Sequence, residues 1–313
     1  MIQIFKTEDG IVHQTDEIEL NSWIALTDPT AAEILEIADK FQLDPDHLRA
    51  PLDEEERSRI EIEDHYSLVL VDIPSIEERS GKDWYVTIPL GIIMMETNII
   101  TVCLEETPVL NAFMDGRVRD FHTYMKTRFI LQILYKNASL YLQYLRVIEK
   151  KSETIEKKLH KSQKNQELIE LLELDKSLLY FTTSLRSNEV VLEKLMRSEK
   201  IKKYSEDAEL LEDVIIENKQ AIEMANIYSG ILGGTMDAFA SVISNNQNLV
   251  MKFLATVTIV MSIPTMISSF YGMNVNTKGM PFANSSYGFF IIIGLSVVIC
   301  LVVAWIFSKK DLF

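Results

Sequence analysis

"NQNLVMKFLATVTIVMSIPTMISSFYGMN", Asn246 to Asn274, is the stretch on which the reading of this chain turns. No charged residue occurs from Phe253 to Thr277. Leu249–Phe270 is close to the ~20 residues that an α-helix needs to span hydrocarbon, and Phe289–Phe307 is a second run of that kind. The first run is not aliphatic all round. Taking every third or fourth residue gives Ser241, Ser244, Asn248, Met251, Ala255, Thr258, Ser262, Thr265 and Ser269, one continuous face of small or polar side chains broken only by Met251 and Ala255. The remaining faces carry Leu249, Phe253, Leu254, Val257, Val260, Met261, Ile263, Met266 and Ile267. Small residues let helices approach closely, which is one use for such a face. The other is a pore wall. Two spans cannot enclose a pore, so that use requires a symmetric ring of subunits. An interface confined to the bilayer has no need of a stripe that runs back to Ser241 and forward to Gly272-Met273-Asn274.

The charge distribution is as uneven as the hydropathy. Of 313 residues, 46 are acidic and 31 basic. The first 248 hold all but one of the acids and all but four of the bases, a net of −18. An acidic surface argues against nucleic acid, whose phosphates need a positive patch; it suits cations, or serves solubility alone. Two cysteines, Cys103 and Cys300, make no disulfide framework, and Cys300 reads as a small buried hydrophobe. "MIQIFKTEDG" has no basic region followed by an apolar core, so the first 248 residues are expected in the cytoplasm. Tyr287 and Trp305 stand where interface anchors stand, near the ends of the second span. Lys309 and Lys310 follow it, Lys252 lies at the first entrance, and the loop Val275–Gly288 carries only Lys278. That bias predicts a multi-pass protein of the cell membrane, both termini cytoplasmic and the short loop outside.

Residues 1–110 read as a cytoplasmic α/β domain. "MIQIF", "SWIAL", "YSLVLVDI", "YVTIPLGIIMM" and "NIITVCL" are β-branched or aromatic runs between polar turns. Asp28-Pro29-Thr30 precedes apolar residues at helical spacing in "DPTAAEILEIADKF". The charge-dense "LDEEERSRIEIED" reads as a solvated helix or loop. Residues 111–248 read as a helical bundle and stalk. Leu210, Val214, Ala221, Met224, Tyr228, Ile231, Ala238 and Val242 fall on one 3.5-residue repeat, interrupted by Glu217 and Thr235, as in a packed seam. No break separates this stretch from the apolar run, so one long helix is expected to enter the membrane. The first transmembrane helix is then 249–271, the loop 272–288, the second helix 289–307 and a basic tail 308–313.

"YGMN" at the end of a first transmembrane helix, with a short loop, a second helix and a lysine-bearing tail, resembles the CorA family of magnesium channels. "WIALTDPTAAEILEIADKF" is similar to that family's N-terminal strand-turn-helix, and the opening stretch to its pore helix throughout. The resemblance covers essentially the full chain. It implies an α+β cytoplasmic domain, a long-helix stalk and two transmembrane helices, assembled as a funnel-shaped homo-oligomer, a pentamer, in the lipid bilayer. It also implies a selectivity filter at Gly272, Met273 and Asn274. Mg²⁺ gives up its water shell reluctantly; a ring of Asn274 amide oxygens with backbone carbonyls would hydrogen-bond the hydrated ion without trapping it, as carboxylates would. Glycine at 272 would permit a tight turn and expose backbone. Asn248 and Met251 align with the family's inner constriction, with Leu254 beside it; Met251 and Leu254 would gate by dewetting. Thr265 matches a pore hydroxyl, Thr258 lies on the same stripe, and Ser262 replaces a residue that is larger and apolar in many members. Many relatives carry an acid after the methionine-proline pair, where this chain reads Met280-Pro281-Phe282-Ala283. Sensing of cytoplasmic Mg²⁺ by carboxylates between subunits would fall to Asp213. The partner position aligns with Ala50, and Asp53 is the nearest substitute.

An enzyme finds little support: His13, His47, His65, His122 and His160 form no metal-binding pair at helical spacing, and no Gly-rich phosphate loop appears. A membrane-anchored coiled-coil sensor or scaffold explains the helices but not the stripe or Tyr271-Gly272-Met273-Asn274. A zinc, cobalt or nickel transporter of the same fold remains the alternative within the family. The Asn284-Ser285-Ser286 sequon reads as loop chemistry.

Overall fold

The structure, a computed structural model, describes residues 1–79, 81–162, 165–197, 205–276, 279–282 and 285–309. Lys278, Asn284 and the tail beyond Lys309, to which the sequence reading assigned roles, lie outside the described residues. The contacts divide the chain into two compact units, Met1–Thr235 and the part from Met236 onward.

In the first unit, β1 (Ile2–Glu8), β2 (Ile11–Thr15), β3 (Trp23–Thr27), β4 (Arg59–Ile62), β5 (Tyr66–Arg79), β6 (Lys82–Met95) and β7 (Ile99–Cys103) form one sheet. Its order is β2-β1-β3-β7-β6-β5-β4. The β3–β7 pairing is parallel and the others are antiparallel, so the sheet is mixed. Alternation along the strands feeds two cores. Val69, Val71 and Ile73 of β5 join Leu90 and Ile92 of β6 on one face, while Leu68, Leu70, Ile93 and Met95 point to the other. The second face is covered by α1 (Ala31–Phe41) and α2 (Pro45–Arg49), which supply Ile34, Ile37 and Leu48. The first is covered by α3 (Pro108–Met114), α4 (Lys126–Ser162), α5 (Asn165–Arg197) and the start of α6 (Ser205–Tyr271). There Trp23 is fully buried, stacked on Phe5 and meeting Phe113, Phe121 and Phe129 edge-on, with Nε1 donating to Thr101 Oγ1 at 2.9 Å.

Local chemistry accounts for the boundaries. Thr30 caps α1: its Oγ1 accepts from Glu33 N at 3.3 Å, and Glu33 Oε2 accepts from Thr30 N at 2.7 Å, a reciprocal capping box. Gly91 of β6 lies under the single 3₁₀ turn Ala50–Leu52; a Cβ there would sit 2.2 Å from Pro51 Cγ, so only glycine lets that turn close on the sheet.

Asp72 of β5 is where α4 and α5 are fastened to the sheet. Its main-chain carbonyl accepts from Asn137 Nδ2 (2.8 Å), Tyr141 OH (3.2 Å) and Asn188 Nδ2 (2.7 Å), and its N–H donates to Asn188 Oδ1 (2.8 Å). The side chain is largely buried. Ser58 and Ser184 are within hydrogen-bonding reach, but each hydroxyl has a competing acceptor, Asn188 Oδ1 at 3.1 Å and Thr87 Oγ1 at 2.9 Å. Burial therefore prevails and pushes the Asp72 carboxyl up to about 6.

Two expectations are corrected. The charge-dense run contributes β4, an edge strand in which Arg59 and Glu61 alternate with Ile60 and Ile62, rather than only a solvated helix or loop. The α6 seam has the expected spacing but a different phase. The buried positions are Asp207, Leu211, Val214, Asn218, Ala221, Ala225, Leu232 and Phe239, so Asn218 replaces Glu217, Leu232 replaces Ile231 and Phe239 replaces Ala238. Asn218 Nδ2 donates to Leu185 O of α5 at 3.1 Å, Tyr228 OH to Glu149 Oε2 of α4 at 2.8 Å, and Ser229 Oγ to Asp175 Oδ1 at 2.8 Å. A polar residue inside the seam is tolerated because it is paired.

Candidate functional site

The helix α6 runs unbroken for 67 residues, so the apolar stretch is its C-terminal part, as its lack of early breakers implied. With α7 (Gly288–Lys309) it is one of two helices, among the described residues, long and apolar enough to cross a membrane. Within this second unit α6 turns Thr256, Val260, Ile263 and Ile267 to its less exposed side. Pro264 interrupts the ladder there. It has no N–H to give the carbonyl four residues earlier, that of Val260. Cys300 Sγ of α7 meets this freed carbonyl at 3.6 Å, a weak donor in place of the missing one. Cys300 is thus more than the small hydrophobe its surroundings suggested.

The polar stripe lies elsewhere on the helix. Asn248, Met251, Leu254, Thr258, Ser262 and Thr265 are all exposed in the single chain. At 3.6 residues per turn, the row from Met251 to Ser269 is centred roughly 155° from the row that carries Val260. A small-residue face that serves packing against the chain's own second span would lie beneath Cys300 instead. The hydroxyl protons are also accounted for. Thr258 Oγ1 donates to Leu254 O (2.8 Å), Ser262 Oγ to Ile259 O (2.8 Å) and Thr265 Oγ1 to Met261 O (3.2 Å). Each oxygen then presents only lone pairs outward. At these three positions the surface accepts hydrogen bonds, which fits the outward-pointing protons of a hydrated cation; Asn248, earlier on the stripe, keeps an amide that also donates.

The helix ends at Tyr271. Gly272 N donates to Ser268 O (2.9 Å) and Ser269 O (3.2 Å), and Gly272, Met273 and Asn274 follow, all exposed. Gly272 makes this turn without left-handed backbone. It is absent from the residues with positive φ, and a Cβ would meet nothing nearer than Ser268 O at 3.4 Å. The demanding glycine is Gly288, where a Cβ would sit 2.4 Å from Phe282 O, while Phe282 itself adopts a left-handed φ of 60°. Tyr271 OH donates to Pro281 O at 2.8 Å, tying this turn to the helix end.

Asp213 is exposed on α6. It shares a face with Ile216, Ile227 and Ile231, which are 62%, 58% and 57% exposed, and this face lies away from the buried seam. Asp53 is exposed as well. Its N–H donates to Ala50 O (3.2 Å) and its Oδ1 accepts from Glu55 N (3.0 Å), so one carboxylate oxygen already shapes the loop. No helical spacing links His47, Glu61 and Glu63, yet the fold brings them together from different segments.

A mixed-sheet domain continued by a very long helix, ending in two apolar spans, one with a polar face turned from the other, defines a class of membrane proteins. The family described as CorA-like Mg²⁺ transporter protein matches residues 20–310, and the chain belongs to it. The chain is similar to the cobalt/magnesium transport protein CorA of Methanocaldococcus jannaschii, 28% identical over 323 residues that cover 99% of this chain and 98% of the relative. The complete structure of the CorA magnesium transporter from that organism matches with a TM-score of 0.85 at 27% identity, covering 99% and 98% of the two chains. The full-length CmaX protein matches with a TM-score of 0.70 at 14% identity over 98% and 96% of the chains, a likeness of fold alone.

Proposed function

We propose that this chain is a divalent-cation channel carrying Mg²⁺ across the cell membrane as a homopentamer. The observation that carries the reading is the stripe of α6 turned from the chain's own second span, with acceptor oxygens at Thr258, Ser262 and Thr265. In a symmetric ring each subunit contributes one such face to a common axis, and Thr258, Ser262 and Thr265 hold the ion's water shell without stripping it. The similarity to proteins named for magnesium and cobalt transport supports the same cargo.

In this reading Gly272, Met273 and Asn274 form the filter on the outer side, in a loop 272–288 that faces away from the cytoplasm, and both termini are cytoplasmic. With no left-handed backbone to require it, Gly272 serves by being small where five copies approach. Asn248, Met251 and Leu254 form the inner constriction, where apolar rings close the path by dewetting. Asp213 is the regulatory carboxylate, with Asp53 of a neighbouring subunit as its partner. The exposed isoleucines beside Asp213 support an intersubunit face there, because such a strip is otherwise left in water. Cytoplasmic Mg²⁺ bound between subunits favours the closed ring by binding it more tightly than the open one.

The test is ion-resolved flux in liposomes. Wild type is expected to conduct Mg²⁺, and Asn274→Ala to assemble but lose selective Mg²⁺ flux. Wild-type uptake by the assembled variant removes the filter assignment, and no flux of any divalent ion through wild type leaves a membrane-anchored scaffold. The similarity to a cobalt/magnesium transport protein makes cobalt the second cargo to test; Co²⁺ flux that exceeds Mg²⁺ flux under equal gradients selects it.

A further inference from the structure

His47, on α2, points Nε2 at Glu61 Oε2 of β4, 3.1 Å away, and Glu63, just past the end of β4, brings a third ligand atom within 4.8 Å of the other two. We propose that His47, Glu61 and Glu63 form a binding site for a borderline-soft divalent cation, Zn²⁺, Co²⁺ or Ni²⁺, at the β4 edge of the sheet. The site is built from the first unit alone, on elements other than the one that carries Asp213, and it stands whether or not the chain conducts.

The geometry fits coordination. With metal–ligand bonds of about 2.1 Å, ligand atoms at tetrahedral or octahedral angles lie roughly 3.0–3.4 Å apart. The His47–Glu61 separation is already one such edge. Glu63 is exposed, and its ligand atom already lies within 4.8 Å of the other two. Three protein ligands leave a position for water, as in an open zinc site.

The surroundings prepare each ligand. Arg59 Nε binds the far oxygen, Glu61 Oε1, which holds the Glu61 carboxyl below the usual carboxylate range and leaves Oε2 for the site. His47 Nδ1 lies 2.8 Å from Tyr66 OH, and that hydroxyl accepts from Asp44 N at 3.3 Å. A metal on Nε2 requires the ring proton on Nδ1, where the Tyr66 oxygen accepts it and fixes the ring; an outer partner of this kind accompanies most metal-bound histidines. The partner groups are anchored, since Tyr66 begins β5 and Asp44 caps α2. Charge points the same way. Arg59, paired with both Glu56 and Glu61, is one positive charge beside three carboxylates once Glu63 is counted.

The donor set selects the ion. Imidazole suits zinc, cobalt and nickel, whereas Mg²⁺ prefers oxygen and water. A site with one nitrogen therefore distinguishes these metals from a large excess of Mg²⁺.

The experiment uses the full-length protein in detergent with millimolar Mg²⁺ present throughout. Zn²⁺ is titrated calorimetrically, and Co²⁺ by its visible absorption, whose intensity reports the change of coordination from the hydrated ion. Wild type is expected to show one Mg²⁺-resistant site per chain. His47→Gln keeps a donor to Glu61 and is expected to weaken binding at least tenfold. Glu63→Gln, a change at an exposed side chain, is expected to weaken it similarly and leave the melting of the metal-free protein unchanged. Absence of a Mg²⁺-resistant site in wild type overturns the proposal. So does full affinity in the Glu63 variant, which assigns any binding to the other histidines and leaves His47–Glu61 as a simple hydrogen bond.

Discussion

Replacing Asp72 with Asn tests whether the junction of β5, α4 and α5 contains a stored electrostatic penalty. Burial raises this carboxyl from 3.8 to about 6, so the folded state binds its proton more tightly than the unfolded state does. The contribution of the group is fully present below about pH 4 and is lost as pH rises towards and through 6. A shift of about two units corresponds to about 3 kcal/mol. Asn keeps the shape and one acceptor for Ser58 or Ser184, and it carries no charge at any pH. Asp72→Asn is therefore expected to match wild type near pH 4 and to be more stable by up to about 3 kcal/mol at pH 8. Amide exchange of peptides covering β5 and α5, corrected for intrinsic rates at each pH, reads this directly. Protection at pH 8 should rise by up to about two orders of magnitude where opening exposes residue 72. A difference that is constant from pH 4 to pH 8, or a variant less stable at pH 8, refutes the reasoning and means that the two serines hold the ionised carboxylate after all.

In the proposed gate Met251 opposes wetting, so Met251→Ser is expected to raise basal conductance in bilayer recordings; an unchanged leak transfers the constriction to Leu254. Asp213→Ala is expected to shift inhibition by internal Mg²⁺ to higher concentration in excised patches, and Asp213→Lys to hold the closed state and lower flux. Superimposable inhibition curves would return Asp213 to the solvent. Gly288→Ala puts a methyl against Phe282 O, where the ideal separation is 2.4 Å, and overpacking of that kind costs about 1–3 kcal/mol. It is expected to lower thermal stability and weaken the Tyr271–Pro281 tie, measured as a lower melting midpoint in detergent.

What could be read from the sequence was whatever has a local physical cause. β-branched runs announced β1, β3, β5, β6 and β7, and Asp28-Pro29-Thr30 ahead of apolar residues at helical spacing announced α1. The spans and the polar stripe followed from composition and helical spacing. The strand β4 was hidden because its arginine and glutamate suit an edge as well as a solvated loop. The α6 seam was misphased because Ile231 and Val242 are apolar yet exposed in the single chain, and a 3.5-residue repeat alone does not say which of two neighbouring apolar rows faces inward. His47, Glu61 and Glu63 escaped a search by helical spacing because the chain must fold α2 back onto β4 to assemble them. The available signal was Glu61-x-Glu63, the two-residue spacing that puts strand side chains on one face. Nothing local marked Asp72, whose burial depends on α4 and α5.

The inward-turned hydroxyl protons of Thr258, Ser262 and Thr265 have a consequence for how ions of opposite sign are told apart. Water around a cation directs hydrogens outward, and water around an anion directs lone pairs outward. The stretch of wall that these three hydroxyls form only accepts hydrogen bonds, and so favours the first shell and opposes the second with no formal charge of its own. Discrimination built on water orientation acts at contact. Added salt, which reduces the Debye length from about 10 Å at 0.1 M to about 3 Å at 1 M and silences rings of carboxylates at long range, leaves it intact. In the proposed ring, preference for cations over anions thus persists at ionic strengths where a charged vestibule would lose it.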